Sequence, residues 1–576
     1  MDGKNMIKGT GVSPGISIGI AHILKKDDDG LSGIIIQTNE ARELEIEKFN
    51  QAVVSAIREV ETIRLNTSFD LKPEDMDILD TQIEFLGDPQ IAEDVHEKIR
   101  NHFRSAHDAV IEVIDAAVEM FRNMDDKYLS ARAADLRDIG NRILRNLNTG
   151  RASFGPDFGE NTILIAEDLA PSDTITLDTT RVVGFATRLG GRTSHTAIIA
   201  KAKGIPAVVA CGSELLNIRI GETVILDGTT GELIINPGSE IMGVYKAKQV
   251  NILNEKALLR SLKDLPAVTT DGHRFKLYAN ISNAAELEQV FENGGEGVGL
   301  LRTEMLFMGR DSFPSEEEQF NFYKQVAIKS KNRPVIIRTL DIGGDKQLPY
   351  FGIPPENNPF MGYRAIRICL DQQEIFFTQL RAILRASVFG NLKIMFPMIS
   401  NLSEVKQAKE CVNEVKLELK NAGIDFDRSI ELGIMIEIPS AALIADILAR
   451  EVDFFSIGTN DLCQYTLAVD RMNGKVSALY THFNPGVLRL ISYVIEQAHK
   501  QNKPVGLCGE MASDPLAALL LMGMGLDEFS MSPRSIPSIK NILVKNSLAK
   551  AREVFKTVME MDDPETIINY LEEVII

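Results

Sequence analysis

The sequence predicts a multidomain α/β protein: a small α/β domain, an α-helical bundle that is inserted in it or precedes it, then a C-terminal (β/α)8 TIM barrel. Three observations predict this. Strand-like runs near the N-terminus resume only after a long stretch of helical texture. That stretch is poor in Gly and Pro. The last 300 or so residues then repeat a short apolar run followed by a helical pattern eight times. A length of 576 residues suits roughly three to four domains.

Residues 6–24, MIKGTGVSPGISIGIAHIL, read as short strands broken by Gly and Pro, too few to bury a core alone. Residues 38–146 read as helices. Their apolar faces are marked by Ile91, Val95, Ile99 and Phe103, then Val110, Val113, Ile114, Ala117 and Phe121, then Leu136, Ile139, Ile143, Leu144 and Leu147. Strands return in TILIAEDL, RVVGFAT, AVVACG, ETVILDG and ELIINP, with one helix among them, so a small α/β domain is expected that the helical bundle either interrupts or precedes. The charged, proline-free run 239–264 reads as a connecting helix or as an ordinary packed one. Residues 268–576 carry the eight barrel strands: FKLYANI, GVGLL, PVIIRTL, LKIMFP, LGIMIEI, VDFFSIG, PVGLCG and DEFSMS. A doubly wound open sheet is the alternative.

Composition narrows the function. With 62 Lys and Arg against 81 Asp and Glu, the net charge of −19 argues against a general nucleic-acid binder and permits a basic protein partner. The N-terminus lacks the apolar core of a signal peptide, and the longest apolar run, PLAALLLMGMGL, is too short to span a membrane. The five cysteines lack CxxC spacing and read as reduced thiols of a cytoplasmic protein.

A barrel places its chemistry at the C-terminal ends of its strands. Arg302 follows GVGLL, Arg338 follows PVII with Asp341 and Lys346 beyond, Glu437 follows LGIMI, Asn460 and Asp461 follow FFSIGT, and Cys508 follows PVGL. A single charge there is often a solvated strand end, but five strands ending this way point to an active site. Arg302, Arg338, Arg364 and Arg471 could grip phosphate or carboxylate through paired hydrogen bonds. Glu437 and Asp461 could hold Mg²⁺ or simply pair with those arginines; Mg²⁺ is favoured because it accompanies phosphate chemistry. Cys508, beside Gly509 and Glu510, is either core filler or a proton donor or nucleophile.

One more histidine stands out. In GGRTSHTAIIAKAKGIP, Thr193 or Ser194 could cap a helix that Gly204 and Pro206 end. His195 then falls in the first turn, where backbone N–H groups disfavour imidazolium and favour an anion. A neutral, nucleophilic His that accepts a phosphoryl group fits this frame, with Gly190 and Gly191 allowing close approach. A His that merely caps or packs is the plain alternative.

These motifs taken together resemble the enzyme I family of the bacterial phosphoenolpyruvate:sugar phosphotransferase system. The resemblance rests on GVSPGISIG, GGRTSHTAIIA, GVGLLRTE, NPFMGYRAIR, GIMIEIPSA, IGTNDL and GLCGEMA, in the family's order over nearly the whole chain. Met305 and Met361 stand where the family pattern has other apolar residues, and neither is expected to touch the chemistry. The resemblance implies that His195 is phosphorylated on Nε2. It implies that Arg302, Arg338, Arg364, Asn460, Asp461 and Arg471 hold phosphoenolpyruvate, that Glu437 and Asp461 bind Mg²⁺, and that Cys508 protonates the departing enolpyruvate. It also implies a swivelling phosphohistidine domain (1–24 and 152–236), a helical domain (38–146) that docks the phosphocarrier protein HPr, and a barrel that makes a homodimer in the bacterial cytoplasm.

Two other readings use the same residues. A pyruvate phosphate dikinase or phosphoenolpyruvate synthase relative would need a nucleotide-binding domain, and the space left is about a hundred helical residues without a phosphate-binding glycine loop. A non-catalytic phosphoenolpyruvate-sensing regulator would have no use for His195 and Cys508. The start directly at the GVSPG strand favours the sugar branch over the nitrogen branch of the family.

Overall fold

The computed structural model describes residues 6–24, 35–67, 82–122 (except 84), 136–147 (except 138, 141 and 145), 159–190 (except 168 and 170–179), 200, and 204–575 (except 309, 345, 347, 349, 353–355, 472 and 474). His195, with Thr193, Ser194 and Thr196, lies outside the described residues. The chain divides into two compact units, Met1–Asn254 and Glu255–Ile576.

The first unit contains a sheet of eight strands in the order β1-β8-β7-β3-β4-β5-β6-β2. Its strands are β1 (Met6–Lys8), β2 (Thr10–Ser13), β3 (Ile16–Leu24), β4 (Thr162–Ala166), β5 (Val182–Thr187), β6 (Ala207–Val209), β7 (Thr223–Asp227) and β8 (Glu232–Ile235). The N-terminal strands thus find their partners far along the chain: β3 pairs in parallel with β4, Ile20 opposite Thr162, and antiparallel with β7. This pairing supplies the core that residues 6–24 could not build alone. Helices Asn39–Thr67, Pro89–His102 and Ala106–Arg122 pack around a separate core that includes Phe49, Ala56, Val95, Ile99, Val110 and Ile114, joined by Leu136, Ile139 and Ile143. Asp88 caps the second of these helices by accepting from Gln90 N–H at 2.8 Å. Phe103 departs from the expected apolar face. It is the C-cap at φ 58°, 43% exposed, because the left-handed turn that ends the helix rotates it outward.

Near His195 the described flanks are informative. Gly190 takes φ 111°. Ala200 is helical, Gly204 takes φ 67°, and Ile205 N–H donates to Ala200 O at 3.0 Å. That bond over a left-handed glycine is how a helix is closed at its C-terminus.

The helix Ser239–Ser261 follows the sheet, and in its first half Tyr245 OH donates to Glu232 at 3.3 Å and Gln249 Nε2 to Ile16 O at 3.2 Å. The second unit is built on a closed barrel of eight strands, all parallel: β9 (Lys276–Ile281), β10 (Gly297–Leu301), β11 (Val335–Arg338), β12 (Leu392–Phe396), β13 (Leu432–Ile436), β14 (Phe454–Ile457), β15 (Val505–Leu507) and β16 (Glu528–Met531). It closes where β16 meets β9, Phe529 opposite Leu277, which excludes the open sheet. Outward-facing residues such as Leu277, Ile337 and Phe455 pack under the helices. A smaller cluster forms from Leu300, Ile336, Met395, Met435, Phe454 and Cys508, the other register of the same strands and so the barrel interior.

Candidate active site at the C-terminal ends of the barrel strands

The sequence-predicted barrel residues arrive at the site from the ends of four strands and from the segments after β11 and β14. Arg302 is one residue past β10, Arg338 ends β11, Glu437 is one residue past β13, and Cys508 is one residue past β15. Asn460 and Asp461 open the helix Thr459–Leu467 after β14, and Arg471 lies in the turn beyond it. Arg364 comes from the long loop after β11. It is followed by Ala365 at φ 54°, ψ −124°, a backbone region that non-glycine residues occupy only under strain of about 1–3 kcal/mol. Gly343, at φ 106°, lets that loop close: a Cβ there would meet the Arg364 Cβ at 2.4 Å.

All eight residues line one cavity of about 340 Å³, joined by Glu304, Asp341, Lys346, Ser282 and Met305. The volume suits a small ligand. Met305 therefore stands on the cavity wall, contrary to expectation, whereas Met361 is not among the lining residues.

Opposite charges pair here in a largely buried network. Arg338 donates to Glu304 and pairs with Asp341 at 3.0 Å; Arg364 pairs with Asp341 at 2.9 Å and with Asp461 at 3.3 Å. Lys346 reaches both Glu304 and Asp341, and Arg471 stands 3.6 Å from Asp461. Burial opposes the Glu304 and Asp341 charges, but Arg338 and the neighbouring cations outweigh it and hold both carboxyls below the usual range. Arg302 differs: it is exposed, and its guanidinium makes no hydrogen bond or ion pair among the described residues.

The network is incomplete as it stands. Arg338 Nε, Arg364 Nε, Asp461 Oδ1, Arg471 Nη1 and Thr459 Oγ1 are buried polar atoms without a hydrogen-bond partner among the described residues. Such atoms are rare in folded proteins, and a cluster of them around one cavity indicates a missing polar ligand. Glu437 accepts from Met398 N–H at 2.6 Å, and burial, then Asp461 and Asp341, push its carboxyl up to about 8. Burial likewise pushes the Cys508 thiol up to about 11, so it stays protonated near neutrality.

The residues present fit a magnesium ion. Among the described residues no group of three or more metal-binding side chains occurs. The available pair is Glu437 and Asp461, and Mg²⁺ binds through one or two carboxylates plus substrate oxygens and water. Asp461 Oδ1, which has Arg471 at 3.6 Å but no hydrogen bond among the described residues, and the proton held on Glu437 are what a bound cation would relieve. Charge balance agrees. Once a cation displaces the Glu437 proton, five cationic side chains and four carboxylates would line the cavity, an excess of one positive charge. A ligand bearing a phosphate and a carboxylate carries about −3, which one divalent cation with that excess would neutralise.

Sequence reasoning passed over Glu304 as a site residue, and it named Asp341 and Lys346 only in passing. Their partners lie up to 42 residues away, so no local spacing announces the pairing. Asn280, on β9, was also passed over; the one signal was a polar residue inside the apolar run LYANI.

The chain matches three family models: "PEP-utilising enzyme, PEP-binding domain" over residues 256–548, "PEP-utilising enzyme, N-terminal" over 8–132, and "PEP-utilising enzyme, mobile domain" over 158–231. The first spans the whole barrel sheet and the cavity. A phosphoenolpyruvate-protein phosphotransferase from Staphylococcus carnosus is 44% identical over 98% of this chain and 98% of its own length, and one from Bacillus subtilis is 46% identical over 98% and 99%. An NMR structure of an Enzyme I protein is 37% identical, with a TM-score of 0.37, over 43% of this chain and 99% of that one. Fold, cavity and matches define a phosphoenolpyruvate-utilising enzyme as the class. Within that class, the chain belongs to the phosphoenolpyruvate-protein phosphotransferase family. No described helix is long and apolar enough to cross a membrane, and the five cysteines are free and buried.

Proposed function

We propose that this enzyme moves the phosphoryl group of phosphoenolpyruvate to its own His195 and then to a histidine of HPr, releasing pyruvate, as the first step of the sugar phosphotransferase system in the bacterial cytoplasm. The observation that carries the proposal is the convergence of Arg302, Arg338, Arg364, Arg471, Glu437, Asp461 and Cys508 on one cavity with unmet polar demand.

In this reading Arg302, Arg338, Arg364, Arg471 and Asn460 bind and orient the phosphate and carboxylate. Glu304 and Asp341 keep the Arg338 and Arg364 guanidinium groups fixed, so little reorganisation is needed when charge develops. Glu437 and Asp461 would hold Mg²⁺, which would neutralise charge on the substrate oxygens. His195 Nε2 attacks phosphorus in line, the phosphorus–oxygen bond breaks, and its electron pair stays on the enolate oxygen. The Cys508 thiol then gives its proton to C3 of the enolate, which yields pyruvate. Residues 1–24 with 152–236 would carry His195 to the barrel and then away from it. The helical segment 38–146 would dock HPr, the helix at 239–264 would connect the moving parts, and the barrel would form the homodimer.

The test uses phosphoenolpyruvate labelled in its phosphate, with Mg²⁺ and no nucleotide. The wild type should take up acid-labile, base-stable label and pass it to added HPr, and His195→Ala should take up none. Label that persists on His195→Ala would overturn the histidine assignment, and a need for nucleotide would favour a dikinase-like enzyme.

A further inference from the structure

The inside of a (β/α)8 barrel is normally filled by bulky branched side chains. Next to Cys508 it is polar. Asn280 on β9 donates through Nδ2 to the Cys508 carbonyl oxygen at 2.8 Å and to Ser530 O at 3.3 Å. Ser530 on β16 returns a bond from Oγ to Asn280 Oδ1 at 2.7 Å. Cys508 N–H donates to Ile457 O at 3.1 Å and its thiol donates to the same oxygen at 3.8 Å, with the Ser456 side chain on β14 beside it. Ser530 is 1% exposed and Ser456 3%. None of Asn280, Ser456 and Ser530 lines the ligand cavity, so ligand contact does not account for them. Putting an amide and two hydroxyls inside a barrel costs desolvation, and bonds that hold one cysteine in place offset it.

We infer that Asn280 is a positioning residue for proton delivery: its amide, oriented by Ser530, fixes the Cys508 peptide so that the thiol addresses one face of the enolate. The inference rests on the reading of Cys508 as the proton donor. The electron pair of the enolate C=C takes the S–H proton at C3, a methyl group forms, and the thiolate is reprotonated by water after pyruvate leaves. A thiol held in one place reaches only one face of C3. Without the Asn280 amide the peptide is free to shift, and an ångström of misplacement slows such a transfer about a hundredfold. Water then protonates both faces.

The experiment uses phosphoenolpyruvate bearing one deuterium at C3 in known geometry, turned over in tritiated water by the full-length enzyme with HPr. The pyruvate is trapped at once as lactate, and the handedness of its methyl group is measured. The wild type should give one hand and Cys508→Ala both. Asn280→Ala should approach the Cys508→Ala result while still taking up phosphoryl label. Ser530→Ala, a gentler change that removes a single hydroxyl, should lose part of the selectivity, which keeps the test decisive if Asn280→Ala folds poorly. If both variants merely slow the reaction and keep a single hand, the network is structural and the inference falls. If Cys508→Ala itself keeps a single hand, the proton-donor reading falls, and the inference falls with it.

Discussion

Glu437 and Glu528 sit at opposite ends of the same barrel and carry the same perturbation. Burial pushes each carboxyl up to about 8. Their neighbours differ. Around Glu437, Asp461 and Asp341 add to the shift while Arg338 and Arg364 oppose it, all within the cavity at the C-terminal strand ends. Around Glu528, at the start of β16, Lys276 and Lys393 oppose the shift and Asp527 alone adds to it. The Glu528 carboxyl makes no hydrogen bond or ion pair among the described residues, and its Oε1 lies 2.6 Å from where a Cβ on residue 299 would be. A raised carboxyl is therefore not in itself a mark of function. At one end it belongs to a crowd of charges that a ligand and a cation would complete; at the other it is a neutral acid tucked inside the fold.

Breaking the crowded end should have the largest effect. Arg338→Ala takes a buried partner from Glu304 and Asp341 and leaves them Lys346 and Arg364, an expected cost of up to about 3–5 kcal/mol in thermal or denaturant unfolding. It should also lower phosphoenolpyruvate-dependent labelling about a thousandfold. Glu437→Gln comes next: it should lower labelling at least about a hundredfold, as loss of a metal ligand does. Chelation of divalent metal should mimic it in the wild type, and Glu528→Gln should leave labelling rates intact.

The third expectation concerns pH. Below about 8, Glu437 holds a proton that a bound Mg²⁺ would have to displace. Affinity for Mg²⁺ should thus rise as pH goes from 6 to 8, by up to about tenfold per unit, with a proton released on binding. Calorimetry in buffers of different ionisation enthalpy measures both. The smallest effect belongs to Glu528. Its carboxyl is held above the ordinary value of 4.5, so the folded state keeps a proton that the unfolded chain loses first. Its contribution to stability is full below about 4.5 and is lost as pH rises towards 8. Glu528→Gln should flatten that dependence and raise Tm at pH 8 by a few degrees. An unchanged melting profile would mean that the buried carboxyl is not held neutral.

The two ends were also unequally legible. All eight barrel strands were readable, because a buried parallel strand is a short apolar run bounded by turn residues, as GVGLL and LGIMI are. The residues closing those runs were readable for the same reason: Arg302, Arg338, Glu437 and Cys508 each interrupt an apolar run where a strand ends. What escaped depends on closure in space. Glu304 meets Arg338 from 34 positions away, and Asn280 meets Cys508 from 228. The N-terminal strands could be recognised, but not their partners, since β3 joins β4 only across the whole helical insertion. Phe103 was misread because helical spacing continues to it, although the chain turns left-handed there.

The central claim is that this cavity binds phosphoenolpyruvate together with one divalent cation. The most direct measurement is calorimetric titration of phosphoenolpyruvate into His195→Ala, which keeps the cavity but cannot accept the phosphoryl group. With Mg²⁺ present, binding should be saturable at one site per chain, weakened at least about tenfold by chelation, and equally weakened by Glu437→Gln. Binding of equal strength without metal, or binding indifferent to Glu437, would contradict the account.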